Sequence, residues 1–162
     1  MKLNGINKPL INVSGCPPIP EVITGVIMYY LTYGTAPALD SLKRPTVFYG
    51  GDAIHDECYR KDYYEQGLFA NTFDDAGARQ GYCLLHLGCK GPTTHNACST
   101  VKWNARTSFP MQSGHGCIGC AQPYFWDGSV TTTKANPVPF WPNGPWKSPS
   151  FYSQLPASLV HD

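Results

Sequence analysis

Charge is scarce in this chain: Asp, Glu, Lys and Arg make up 14% of its 162 residues, and the net charge is +1. No basic stripe with interleaved aromatics occurs, and no run of like charges, so nothing argues for nucleic acid as a partner. Long apolar runs are missing as well. The most apolar stretch, Val22 to Leu31, is far shorter than the ~20 residues a membrane-spanning helix needs. The opening MKLNGINKPL lacks the apolar core of a secretory signal. The expectation is a chain with no membrane span, and no export signal, of its own. Its length suits one domain. With 16 Gly and 15 Pro, that domain should consist of long ordered loops around a few short elements. Something other than helix or sheet ladders must then hold the loops.

Cysteine is what the chain has in excess. Seven occur, at 16, 58, 83, 89, 98, 117 and 120, and His55 stands three residues before Cys58. A secreted disulfide framework usually shows an even count in a chain under ~100 residues. The odd count and the histidine lean towards metal. His55 and Cys58 fall within one helical turn, and Cys83 and Cys89 follow in GYCLLHLGCKGP. One imidazole among three thiolates suits iron–sulfur clusters and zinc alike, and as a lone pattern it favours structural zinc. Gly81, Gly88 and Gly91 would let backbone amides approach the sulfurs. Cys98, Cys117 and Cys120 form a second group of three, one short of the four ligands usual for structural zinc. Cys16, in GCPPIPE, reads alone as a small buried hydrophobe or stray thiol. His86, His95, His115 and His161 read as polar loop residues or hydrogen-bond donors rather than ligands. Trp103 and Trp126 read as core.

Residues 9–13 (PLINV) read as a short buried strand, and Glu21 to Tyr33 as the clearest helix, stopped by Gly34. Its stripe of Val22, Ile23, Val26, Ile27, Tyr30 and Leu31 reads as core packing. Residues 35–54 form a connection leading into Thr46–Tyr49. A short helix is expected in 58–66, ended by Gly67, and a single turn in 74–79. From 81 to 127 no periodicity persists, and a span of that length needs an organiser. Beyond Gly128 a Pro/Thr/Ser-rich tail should lie as an extended strap.

Taken in order, GCPPIPE, IHDECYR, ARQGYCLLHLGCKGPTTHNACS, WN and SFPMQSGHGCIGCAQPYFWD closely resemble the C-terminal half of the small subunit of NiFe uptake hydrogenases, over residues 7–128. GCPP alone is weaker, since a related subunit of respiratory quinone oxidoreductases carries it too. The resemblance implies that His55, Cys58, Cys83 and Cys89 hold a distal 4Fe-4S cluster and that Cys98, Cys117 and Cys120 hold a medial 3Fe-4S cluster. Pro110 stands where a four-iron relative would supply a further cysteine. Cys16 matches the last of four ligands of a proximal 4Fe-4S cluster. The resemblance also implies an α+β fold with low regular secondary structure, its short helices and long loops wrapped around clusters. It divides the chain into 1–50, the last strand and helix of a flavodoxin-like domain; 51–128, the iron–sulfur domain; and 129–162, a tail. The other proximal ligands and the export signal of the family are not found in this sequence, so a fragment is expected.

By the same resemblance the chain relays electrons and carries no catalytic residue, because the NiFe site belongs to a large subunit. Its implied partners are that subunit and a redox partner such as a cytochrome, and its implied location is periplasmic or membrane-associated, facing the periplasm. Imidazole in place of a thiolate should raise the distal cluster's potential. Arg60, Lys61 and Lys90 flank the distal ligands, as a docking face for an acidic partner or simply a solvated one. The alternatives are a non-catalytic structural zinc module and a disulfide scaffold.

Overall fold

The computed structural model describes residues 8–123. Four helices occur there: α1 (Pro20–Tyr33), α2 (Thr46–Tyr49), α3 (Lys61–Glu65) and α4 (Ala76–Arg79). Two 3-10 turns follow, Leu85–Leu87 and Gly91–Thr93. The expected β component is corrected: among the described residues no strand forms, and only three isolated bridges occur, Leu39 with Pro45, Phe69 with Cys83 and Trp103 with Ser108. Residues 9–13 are extended without pairing, tied by one bond from the Asn12 N–H to the Lys43 carbonyl at 2.8 Å. An apolar segment becomes a strand only beside a second extended one, and none lies alongside it among the described residues.

Helix α1 starts and stops as its sequence dictates. Pro20 occupies the first helical position, where no amide partner is needed, and Glu21 sits at the positive end of the helix dipole. Gly34 closes the helix at φ +68, its N–H donating to the Tyr30 carbonyl. The core reading of its stripe holds for only part of it. Val22 and Val26 are buried, whereas Ile23 is 39% exposed, Ile27 52% and Leu31 72%. A core this small covers a narrower face than the stripe offers. The helix rests on α2 at Gly25, where a Cβ would stand 3.3 Å from the Phe48 ring. Its uncovered apolar residues border, with Lys8 to Val13, a groove of about 700 Å³.

The short helix expected in 58–66 begins only at Lys61, and Gly67 ends it at φ +70. Asp75 caps α4: one carboxylate oxygen accepts from the Ala78 N–H, the other from those of Asn71 and Thr72. Ile19, Val22 and Tyr49 share a single buried cluster with Ile54, Leu84, Leu87, Phe109 and Met111. Cys89, Cys98 and Cys117 are members of that same cluster. Arg44 ties the helical end to the last loop, pairing with Asp40 at 2.7 Å and donating to the Ala121 carbonyl beside Cys120. Among the described residues no helix is long and apolar enough to cross a membrane. Trp126, His161 and the tail 129–162 lie outside the described residues.

Candidate metal centre

The Gly-Cys-Pro-Pro turn fixes Cys16 at the edge of the core. A Cβ on Gly15 would fall 2.3 Å from the Pro18 Cα, so only glycine permits the chain to fold back so tightly. The Cys16–Pro17 peptide is cis. The Tyr49 hydroxyl anchors the turn by donating to the Ser14 carbonyl at 2.7 Å.

The histidine-containing set is assembled from three loops. The His55 N–H donates to the Gly91 carbonyl at 3.2 Å, and the Cys58 N–H to the His55 carbonyl at 3.1 Å. The His55 ring stands edge-on to Tyr64, 4.5 Å between centroids. Burial holds its pKa below the ordinary imidazole value, against the pull of Asp56, which favours the neutral ring a metal requires. Cys83 is placed by backbone bonds with Leu68 and Ala70. Cys89 lies deeper, behind Gly91, where a Cβ would stand 3.4 Å from the Cys89 Sγ and 3.7 Å from the His55 nitrogen. Burial raises the pKa of Cys58, Cys83 and, most strongly, Cys89. Charge on Cys58 is felt at Cys83, and charge on Cys83 at Cys89.

The second set is Cys98, Cys117 and Cys120. Burial, then the charge of Cys117, pushes Cys98 up to about 12. Burial pushes Cys117 up to about 11, opposed by the amide of Gly119 and the hydroxyl of Thr94. The structure adds Cys16 to this company. Its thiol hydrogen-bonds with that of Cys120, which lowers Cys16 and raises Cys120, and its charge is felt at Cys98 and Cys117. So the cysteine that reads as solitary in sequence rests against the three-cysteine set. No disulfide links any of the seven sulfurs.

Backbone amides do approach sulfur, at one of the glycines named above and at two further positions. The Cys117 N–H donates to the Cys89 Sγ at 3.2 Å and the Gly119 N–H to the Cys117 Sγ at 3.4 Å. The amide of Gly91 also serves Cys89. Gly81 and Gly88 instead supply left-handed turns, at φ +82 and +89. Among the other histidines, His86 stacks on Phe69 and bonds Asn71, and His95 bonds the Gly51 carbonyl. His115 bonds the Gly116 carbonyl and lines, with Cys16 and Trp103, a cavity of about 310 Å³.

These surroundings suit iron–sulfur groups. Thiolates, amide N–H groups aimed at sulfur, and a water-poor shell are what such groups require. The buried Trp103 indole N–H has no acceptor in full hydrogen-bond geometry, yet it acts on the Cys98 sulfur, lowering its pKa. A donor so placed fits an additional sulfur acceptor. Among the described residues no three His, Cys, Asp or Glu side chains close to single-ion spacing, whereas zinc needs donors at about 2.0–2.3 Å from one point. Sequence reasoning missed Thr94, Trp103 as a donor, and the burial of Arg60 and Lys90, which are 5% and 3% exposed. Those two cations cannot form a docking face. Nothing in their sequence surroundings signals burial, because a basic residue beside a loop ligand reads as solvated.

A loop-built fold with five of its seven free thiols in or against the core defines a cysteine-organised architecture. Residues 49–132, just over half the chain, match the C-terminal family of the NiFe/NiFeSe hydrogenase small subunit, and the chain belongs to it. It is 60% identical over 121 residues to the uptake hydrogenase small subunit of Afipia carboxidovorans, covering 75% of this chain and 33% of that one. It is 55% identical over 133 residues to that of Azotobacter vinelandii, covering 82% and 37%. Among solved structures, the [NiFeSe] hydrogenase from Desulfovibrio vulgaris Hildenborough matches with a TM-score of 0.65 and 37% identity, over 79% of this chain and 47% of that one. The chain thus spans about a third of the length of the curated relatives it matches.

Proposed function

We propose that this chain is the electron-relay portion of a hydrogenase small subunit. His55, Cys58, Cys83 and Cys89 would hold a 4Fe-4S cluster, and Cys98, Cys117 and Cys120 a 3Fe-4S cluster. Bound there, the clusters would supply one-electron transfer between a NiFe site on a large subunit and an outside acceptor such as a cytochrome. The chain's own residues do the holding and insulating. Amides of Gly91, Cys117 and Gly119 stabilise sulfur charge, and Phe109, Met111 and Leu87 keep water away. Cys16 would serve a third, proximal cluster completed by ligands outside this chain, and in the present fold it rests on Cys120. No residue here performs H2 cleavage.

The reading extends to the whole protein. Residues 1–50 would complete a flavodoxin-like domain, 51–128 form the iron–sulfur domain and 129–162 a surface tail, in a periplasmic or periplasm-facing complex. One observation carries it: His55 and six of the seven cysteines fall inside the segment that matches the family, with the Cys117 N–H donating to the Cys89 Sγ between the two proposed sets. Anaerobic reconstitution with iron and sulfide, followed by iron counting and EPR, tests it. Two separable signals are expected, one of them a three-iron signal on oxidation. Sites satisfied by zinc, or the absence of that signal, would sink the proposal.

A further inference from the structure

Arg60 stands two residues after Cys58, where a cation reads as part of a wet surface. Instead it is 5% exposed. Its Nε donates to the Met111 carbonyl at 2.7 Å, its Nη1 to the Tyr82 carbonyl, and its guanidinium lies 5.1 Å from the centroid of the Tyr59 ring. None of the three ion pairs among the described residues includes it: those are Arg44 with Asp40, Lys61 with Asp56 and Arg79 with Asp74. Among the described residues this buried guanidinium is thus held by two carbonyl dipoles and a ring face, without a carboxylate.

Such a charge is costly unless something negative answers it. Two thiols are placed to do so. Tyr82, whose carbonyl takes the guanidinium, immediately precedes Cys83, and Cys58 lies on Arg60's own turn. The Arg60 Nη1 lies over the Gly81–Cys83 stretch: a Cβ on Gly81 would stand 3.9 Å from it, and the Tyr82 carbonyl accepts from it. Lys90, the other buried cation of this region, acts on Cys117 instead.

Building on the proposed function, we infer that Arg60 is the internal counter-ion of the histidine-containing set, and that its fixed charge raises the reduction potential of the group held there. Reduction adds negative charge in a low-dielectric setting, so a nearby cation favours the reduced form. Arg60 acts through the thiolates and touches no reacting atom, which makes it a positioning residue.

The test is EPR-monitored redox titration of the full chain, reconstituted anaerobically, as wild type, Arg60→Gln and Arg60→Lys. Glutamine retains hydrogen-bonding capacity but no charge, and should shift the reduction equilibrium constant about tenfold towards the oxidised form, or about 59 mV lower for a one-electron couple. Lysine retains the charge and should stay near wild type. Equal shifts in both variants would reveal a merely structural staple, and an unmoved potential in Arg60→Gln would overturn the inference. Should the glutamine variant fail to load, the lysine variant decides, because a tenfold shift there has the same overturning force. A wild-type chain with no iron at this set would instead defeat the proposed function itself, a distinct result.

Discussion

The two donor sets solve the burial of sulfur differently. In the histidine-containing set, one of four donors is a neutral imidazole and a guanidinium lies behind two of the three thiols. Cys58 keeps partial contact with solvent. In the three-cysteine set repulsion from other thiols adds to burial at Cys98 and to the Cys16 hydrogen bond and burial at Cys120, while Gly119 and Thr94 oppose the effect of burial at Cys117. The first set runs from the half-buried Cys58 down to the buried Cys89 with a guanidinium beside it; the second is crowded with sulfur. Metal binding must therefore expel protons from both sets, and in the second the only cation felt among the described residues is Lys90, at Cys117.

Single ligand replacements break the comparison outright. Cys117→Ser should abolish the three-iron EPR signal and leave the other weakened, because the Cys117 amide still reaches Cys89 but its loop loses an anchor. Cys58→Ser should abolish the four-iron signal and leave a weakened three-iron signal. Iron counting alongside EPR checks both, and symmetric loss in the two variants would contradict separate sites.

Gly116→Ala probes the seam between the sets. Its Cβ would stand 3.0 Å from the Cys89 Cα, against backbone that cannot swing away, so a loss of about 1–3 kcal/mol in stability is expected by chemical denaturation. Alkaline pH probes both sets, since burial raises the thiols of each. Cys98 and Cys117 ionise at about 12 and about 11 in the fold, against the ordinary thiol value of 9.0. The folded chain binds these protons more tightly than the unfolded one, so the stability they contribute is complete below pH 9.0 and is lost as pH rises towards 12. The melting temperature of the cluster-free chain should fall across that window, and Cys117→Ser should shallow the fall. Smallest is Gly91→Ala, whose Cβ would meet the Cys89 Sγ at an ordinary 3.4 Å; a cost of about 1 kcal/mol or less should register in the same denaturation assay.

Much of this was legible in the residues, because it depends on local chemistry. Gly34 ends α1, Gly67 ends α3, and His55, Cys58, Cys83 and Cys89 stand out by spacing as candidate ligands. What escaped depends on distant partners. Residues 9–13 carry a strand's composition but lack a neighbour to pair with. Ile27 and Leu31 belong to an apolar stripe, yet nothing in periodicity says how wide the covering core will be. The approach of Cys16 to Cys120, and the turn of Arg60 inward to carbonyls of Met111 and Tyr82, join segments far apart along the chain. A solvated cation and a buried one have the same letter.

The bond from the Cys117 amide to the Cys89 sulfur has a consequence for assembly. One peptide unit serves as ligand support on both sides, so ordering either site places half of the other. With clusters in both sets as proposed, loading would be cooperative: a chain holding one cluster would have the second site nearly preformed. Half-filled chains should then be rare.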